Sequence, residues 1–133
     1  MVIVDTPIWS TALRRSGSAQ PSVRNTLTTL IRSRGAILLG PIRQEILSGI
    51  KDKNQFEVMR SELQSFPDFS IVPEDYEEAA ICFNRCRSQG IQGSNTDFLI
   101  CAVSLRSKFE VFTNDRDFEK FASALDIHLF ERP

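Results

Sequence analysis

Val111-Phe112-Thr113-Asn114-Asp115-Arg116-Asp117-Phe118 is the stretch on which the fold of this chain turns. An apolar run reaches Thr113 and stops. Asp115 and Asp117 follow, and Phe118 and Phe121 begin a helical spacing. That order is a strand end, a tight turn and a helix N-terminus. In open α/β sheets, sites form just outside the carboxyl ends of strands.

Outward from this point, apolar runs alternate with helical patterns. Val2–Val4, Ala36–Leu39, Phe69–Val72, Glu110–Thr113 and Ile127–Phe130 read as five short, buried strands. Between them, Thr6-Pro7 opens a short helix through Ile8, Trp9, Ala12 and Leu13. Further helices are expected at Ser22–Arg34, Pro41–Gly49 and Asp52–Phe66, from Pro73 through Cys86, and over Arg116–Leu125. Asn95 or Thr96 should cap one more, running to Ser107, whose centre Phe98–Val103 is apolar on every side and therefore buried. Strands separated by helices imply right-handed crossovers and a central, mostly parallel, five-stranded sheet flanked by helices.

The chain has 133 residues, which suits a single α/β domain over 1–133. A net charge of −1 excludes a generally basic protein that coats nucleic acid, but not a nuclease whose acids are neutralised by cations. Three cysteines without a CxxC pair and one histidine are poor material for zinc, and buried thiols in a reducing compartment are expected. The longest apolar run is too short to span a bilayer. The opening Met1-Val2-Ile3-Val4-Asp5 lacks the basic region of a signal peptide, so a cytoplasmic protein is the expectation.

Taken singly, each acid of interest has a bland explanation. Asp5, Asp97, Asp115 and Asp117 all stand where a helix begins and can serve as caps. Glu45 lies about 60° around its helix from Ile42 and suits a solvated flank. Taken together they favour a site. Asp5 and Asp115 follow parallel strands. Asp97 opens the crossover helix leading to the Asp115 strand, and Glu45 follows the second strand closely. Carboxylates gathered at one edge repel one another and raise one another's pKa values unless a cation intervenes. All-oxygen donors suit Mg²⁺, with Mn²⁺ as a substitute. Residues two apart on a helix diverge by about 200°, so Asp115 and Asp117 share an ion only if Asp115 is still in the turn. Asp117 therefore ranks as auxiliary.

With these residues in view, the chain resembles a PIN-domain ribonuclease, and more closely a VapC-type toxin of a toxin–antitoxin pair. The pieces that match in order are Val4-Asp5-Thr6-x-Ile8-Trp9, Gln44-Glu45-Ile46-Leu47 with Gly49, Asn95-Thr96-Asp97, Thr113-Asn114-Asp115-Arg116-Asp117-Phe118, and the closing strand. They cover the whole chain, and their order and spacing are more specific than any one of them. The resemblance implies a compact domain with a parallel sheet, in which Asp5, Glu45, Asp97 and Asp115 are catalytic. Asp5, Asp97, Asp115 and Asp117 would bind Mg²⁺ or Mn²⁺. Thr6, Asn95, Thr96, Thr113 and Arg116 would support the site or meet substrate. The implied activity is RNA cleavage by metal-activated water, leaving a 5′-phosphate and a 3′-hydroxyl. A cognate antitoxin would block the site, and the chain would form a homodimer. The chain departs from the family at Pro7, where serine or threonine is frequent.

Arg14, Arg15, Arg116 and Lys120 are candidates for phosphate contacts, against a solvated charged face. His128, in the last strand, is expected to be structural or exposed. The antitoxin is expected to dock its apolar residues between the Pro41–Gly49 and Asp52–Phe66 helices and to bring a basic side chain to the acids. Competing readings are a phosphatase of the haloacid-dehalogenase type, a receiver-like phospho-acceptor and a non-catalytic PIN-like module. The first lacks an acid two residues after Asp5. The second lacks an early acidic pair and a late lysine. The third is separated from the nuclease by a metal titration.

Overall fold

The computed structural model describes residues 1–13 and 21–131. Its centre is β1 (Val2–Val4), β-branched throughout and buried at every residue, as a strand covered on both faces must be. β1 pairs in parallel with β2 (Ala36–Ile37) on one side and β3 (Glu110–Phe112) on the other, giving the order β2-β1-β3. Val2 stands opposite Ala36 and Glu110, Ile3 opposite Ile37 and Val111, and Val4 opposite Phe112. The carboxyl ends of β1 and β3 therefore share one edge.

The helices are α1 (Thr6–Leu13), α2 (Pro21–Arg32), α3 (Gly40–Ser48), α4 (Lys53–Leu63), α5 (Pro73–Ser88), α6 (Asn95–Ser107) and α7 (Asp117–Ala124). Trp9 fixes α1 to the sheet: its ring is fully buried, and its indole N–H donates to the Val4 carbonyl at 3.0 Å. α6 is the central helix, with every residue from Phe98 to Ser104 buried. Ser104, the polar member of that run, donates its hydroxyl to the Phe109 carbonyl at 2.6 Å, so no donor is stranded in the core.

A chain of rings ties α5, α6 and α7 together. Phe83 meets Phe98 at 5.2 Å between centroids, Phe98 meets Phe121 at 5.0 Å, and Phe121 meets Phe118 at 5.0 Å. Each such pair stabilises by about 0.5–1.5 kcal/mol beyond its buried area. Phe98 adjoins Asp97, and Phe118 is three residues from Asp115, so this packing also sets the separation of two acids. Cys82, Cys86 and Cys101 are free thiols in the core, with burial pushing Cys82 up to about 11.

The sheet corrects the expectation of five strands. Among the described residues three strands are regular, and the other two positions survive as single parallel bridges, Leu38 with Asp68 and Val111 with Leu129. The Phe69 N–H still donates to the Leu38 carbonyl at 3.0 Å, but beyond it the segment gives backbone groups to side chains. The Ser70 carbonyl accepts from Arg106 at 3.2 Å, and the Val72 N–H donates to Asp75 at 3.0 Å. Asp75 is itself buried and paired with Arg106 at 2.6 Å. Among the described residues the Ile127–Phe130 segment bridges β3 only at Val111, because β3 ends before the turn at Thr113. Two hydrogen bonds complete that pairing, Val111 N–H to the His128 carbonyl at 3.0 Å and Phe130 N–H to the Val111 carbonyl at 2.8 Å.

Asp52 caps α4, its carboxylate accepting from the Gln55 N–H at 2.9 Å. Met59 and Leu63 of that helix are buried in the core, whereas Phe56 is half-buried and Val58 is exposed. Arg43 of α3 closes the far end of α4. It donates to the Leu63 carbonyl at 2.9 Å and to the Phe66 carbonyl, and pairs with Asp68 at 2.8 Å. Among the described residues no helix is long and apolar enough to cross a membrane.

Candidate acidic site at the carboxyl edge

Asp5 leaves β1 and starts α1. Its backbone carbonyl accepts from the Ile8 and Trp9 N–H groups at 3.1 and 3.3 Å, so it caps the helix. Its carboxylate is held twice. Oδ1 accepts from the Thr6 N–H at 2.8 Å, and Oδ2 accepts from the Thr113 hydroxyl at 2.8 Å. The residue is only 5% exposed. Burial pushes its carboxyl up to about 6, against the pull of the Thr113 and Thr6 hydrogen bonds, and the charges of Asp97 and Glu45 push the same way.

Thr113 joins two acids. While its hydroxyl donates to Asp5, the same oxygen accepts from the Asp115 N–H at 3.0 Å. Asp115 lies in the turn before α7, half-buried, and its Oδ1 accepts from the Asp117 N–H at 2.9 Å. The turn thus uses one oxygen of Asp115 and leaves the other uncommitted. Asp117, already on the helix, is 52% exposed, and its nearest cation is Lys120 one turn along at 3.9 Å. The structure sets Asp117 apart from the group it assembles from the other four acids.

Asp97 sits in the first turn of α6. The helix is capped by Ser94, which corrects the expected cap at Asn95 or Thr96. Ser94 accepts from the Asp97 N–H at 3.1 Å, and Asp97 accepts from the Ser94 N–H at 2.9 Å. This reciprocal box is legible in Ser94-Asn95-Thr96-Asp97 as a serine followed three residues later by an acid. Burial raises the Asp97 carboxyl above its ordinary value, opposed by the Ser94 bonds and assisted by the charges of Asp115 and Glu45. Glu45, exposed on α3, accepts from the Thr6 hydroxyl at 2.6 Å.

Asp5, Glu45, Asp97 and Asp115 therefore share one electrostatic field. Among the described residues none of the four has a lysine, arginine or histidine partner. Among the described residues the negative charge gathered here is uncompensated, and its donors are all oxygens, which fits a hard divalent cation. Among the described residues, no three acidic, histidine or cysteine side chains stand close enough to form a ready coordination cage. Mg²⁺ does not require one, since it keeps several waters and is commonly held by one or two carboxylates.

Two cavities adjoin the acids. A cleft of about 560 Å³ lies over Thr6, Glu45, Gln44 and Thr96. An apolar groove of about 490 Å³ runs from it between α5 and α6, lined by Tyr76, Ala80, Phe83, Asn95 and Leu99. Pro41 and Thr96 line both. Arg116 is exposed at the mouth of the turn, and His128 is exposed, as expected for a residue outside the chemistry. Arg14 and Arg15 lie outside the described residues.

The sequence model of the PIN domain matches residues 2–124. The VapC ribonuclease Mb1587 of Mycobacterium bovis is 29% identical over 125 residues, covering 92% of each chain, and ribonuclease VapC11 of Mycobacterium tuberculosis matches to the same extent. Among solved structures, FitAcB from Neisseria gonorrhoeae superposes with a TM-score of 0.76 at 19% identity, covering 99% of this chain and 98% of that one. VapBC2 from Rickettsia felis, bound to a DNA fragment from their promoter, superposes with a TM-score of 0.74 at 16% identity, covering 98% of both. With the family model spanning nearly the whole chain, the chain belongs to the PIN domain family.

Proposed function

We propose that this protein is a metal-dependent endoribonuclease of the VapC type, the toxin of a toxin–antitoxin pair, acting in the cytoplasm as a homodimer. The observation that carries the reading is Asp5. It is a buried carboxylate at the end of the central strand, gripped by an amide and a hydroxyl, with the charges of Glu45 and Asp97 acting on it and no cation paired with it among the described residues. Evolving such an arrangement only to cap a helix makes little physical sense, since one exposed acid caps as well. The ribonuclease names of the relatives give the substrate class, and the toxin–antitoxin complexes among the structural neighbours give the partner.

Asp5, Asp97 and Asp115 would hold Mg²⁺ or Mn²⁺, with Glu45 beside them and Asp117, at the start of α7, as an auxiliary ligand. The ion, when bound, lowers the pKa of water and takes up charge on the phosphate oxygens. The chain's own residues do the rest. Thr113 and Thr6 keep Asp5 from turning away. Glu45 stands nearest the open cleft, where it can accept the proton of the attacking water. Thr96 and Asn95 edge the opening and, with Arg116 of the turn before α7, would meet the backbone of the substrate.

A second reading draws on the capping bonds of Asp97 and Asp115, which suffice for a non-catalytic module. Growth and RNA cleavage separate the two. Expression without a partner should arrest growth. Asp5→Asn and Asp97→Asn should relieve the arrest and lower Mg²⁺-dependent cleavage by at least about 100-fold. If both variants stayed toxic at equal soluble levels, the nuclease reading would be wrong.

A further inference from the structure

We infer that Thr6 is a positioning residue for Glu45, holding that side chain toward the acidic edge so that it contributes to cation binding; the inference rests on the reading above. Thr6 is the first residue of α1 and reaches two acids at once. Its N–H donates to Asp5 Oδ1 at 2.8 Å, and its hydroxyl donates to Glu45 Oε1 at 2.6 Å. The second distance falls in the short range of charge-assisted O–H···O⁻ bonds. It also joins residues 39 apart in sequence, so it ties α3 to the end of β1.

Glu45 needs such a tie. Its helix is anchored by the buried Ile42 and Ile46, but Glu45 itself is exposed and has three side-chain torsions. The charges of Asp5 and Asp97 interact unfavourably with its own. An untethered glutamate in that field relaxes toward solvent, away from its neighbours. Among the described residues the Thr6 hydroxyl is its one hydrogen-bond partner. Glu45 lines the cleft, and bonding at Oε1 leaves its other oxygen without a hydrogen bond among the described residues. Pro7, next in the chain, has no group that could take over.

The test is Mn²⁺ binding by the purified full chain, followed by calorimetry and by the electron paramagnetic resonance of the free ion. Thr6→Val keeps the branched shape and removes the hydroxyl, Thr6→Ala removes it without the second methyl, and Thr6→Ser restores it. Thr6→Ser should bind Mn²⁺ like the native chain. Thr6→Val and Thr6→Ala should each bind about tenfold more weakly, the scale of a lost hydrogen bond to a charged group. Glu45→Gln should fall by a similar factor, and Thr6→Val combined with Glu45→Gln should be no weaker than Glu45→Gln alone. Asp5→Asn, measured alongside, reports on the acidic site itself. Native affinity in both hydroxyl-free variants, with Asp5→Asn impaired, would overturn the role of Thr6 and leave the metal site standing. Full additivity in the double variant would overturn it as well. Native affinity in Asp5→Asn would remove the metal site and the role of Thr6 together.

Discussion

At neutral pH Asp5 is charged in a place that favours its neutral form. Its carboxyl is raised from 3.8 to about 6, chiefly by burial. A group whose folded pKa is raised contributes stability that is full below its unfolded value and is lost as pH rises through the folded one. Without metal, the chain should therefore lose stability between about pH 4 and pH 6, with Asp97 shifted in the same direction. Asp5→Asn removes the penalty. At pH 7 and without divalent ions it should be more stable than the native chain by about 1–3 kcal/mol, the scale of a two-unit shift. Urea melts at pH 4 and pH 7 check this, and the gap should close at the lower pH. Adding Mn²⁺ should raise the melting temperature of the native chain and leave that of Asp5→Asn unchanged. A native chain equally stable at both pH values would mean that Asp5 is solvated. The edge positions of Asp5, Asp97 and Asp115 were legible in the sequence because each follows a strand or opens a helix, whereas Glu45, inside α3, was drawn to them only by its closeness to the second strand. Their hydrogen bonds were not. That Thr113 touches Asp5 and Asp115, and Thr6 touches Asp5 and Glu45, depends on side-chain directions that spacing alone does not specify.

At the scale of elements, Gly93 decides how α6 and α7 meet. A methyl group there would stand 2.6 Å from Phe121 Cζ and 3.0 Å from Phe98 Cε2, and both rings are buried. The missing side chain lets the loop before Ser94 lie against two core rings. The same loop carries the capping box that orients Asp97. Gly93→Ala should cost about 1–3 kcal/mol, as overpacking does. It should also weaken Mn²⁺ binding, since shifting Phe121 moves α7 and the Asp115 turn. Gly90→Ala is the control: its φ of +76° is strained for alanine, yet nothing lies near the added methyl group. It should lower stability and spare metal affinity. A Gly93→Ala chain of native stability would show that the rings yield freely. Helices were the more legible elements, because prolines, caps and an apolar face at helical spacing mark them locally. Strands were over-read. Phe69-Ser70-Ile71-Val72 has the composition of a strand, but Arg106 and Asp75 claim its backbone groups from elsewhere in the chain.

For the whole molecule, the arrangement of cavities bears on how a partner would silence the site. The sequence suggested docking between α3 and α4, but Met59 and Leu63 are buried in the core, so Met59→Glu would unfold the chain. The open apolar surface is the groove between α5 and α6, where Tyr76 is 58% exposed. Pro41 and Thr96 connect it directly to the cleft over Glu45. A partner's tail laid in the groove would reach the acids within a few residues, at about 3.3 Å of extended chain each. Because the acids have no cation partner among the described residues, an arginine or lysine in that tail would compete with Mg²⁺ for them. Ala80, exposed on the groove wall, is the position to test. Ala80→Glu should leave the fold and Mn²⁺ binding unchanged and weaken the antitoxin complex by at least about tenfold, as burying an unpaired charge does. Removing the tail from the antitoxin should restore RNA cleavage while its DNA binding persists. Light scattering on the isolated chain decides who occupies the groove. If Ala80→Glu turns a dimer into a monomer, the groove holds a second copy of this chain and the tail must inhibit from elsewhere. If the dimer persists and the complex weakens, the groove belongs to the antitoxin.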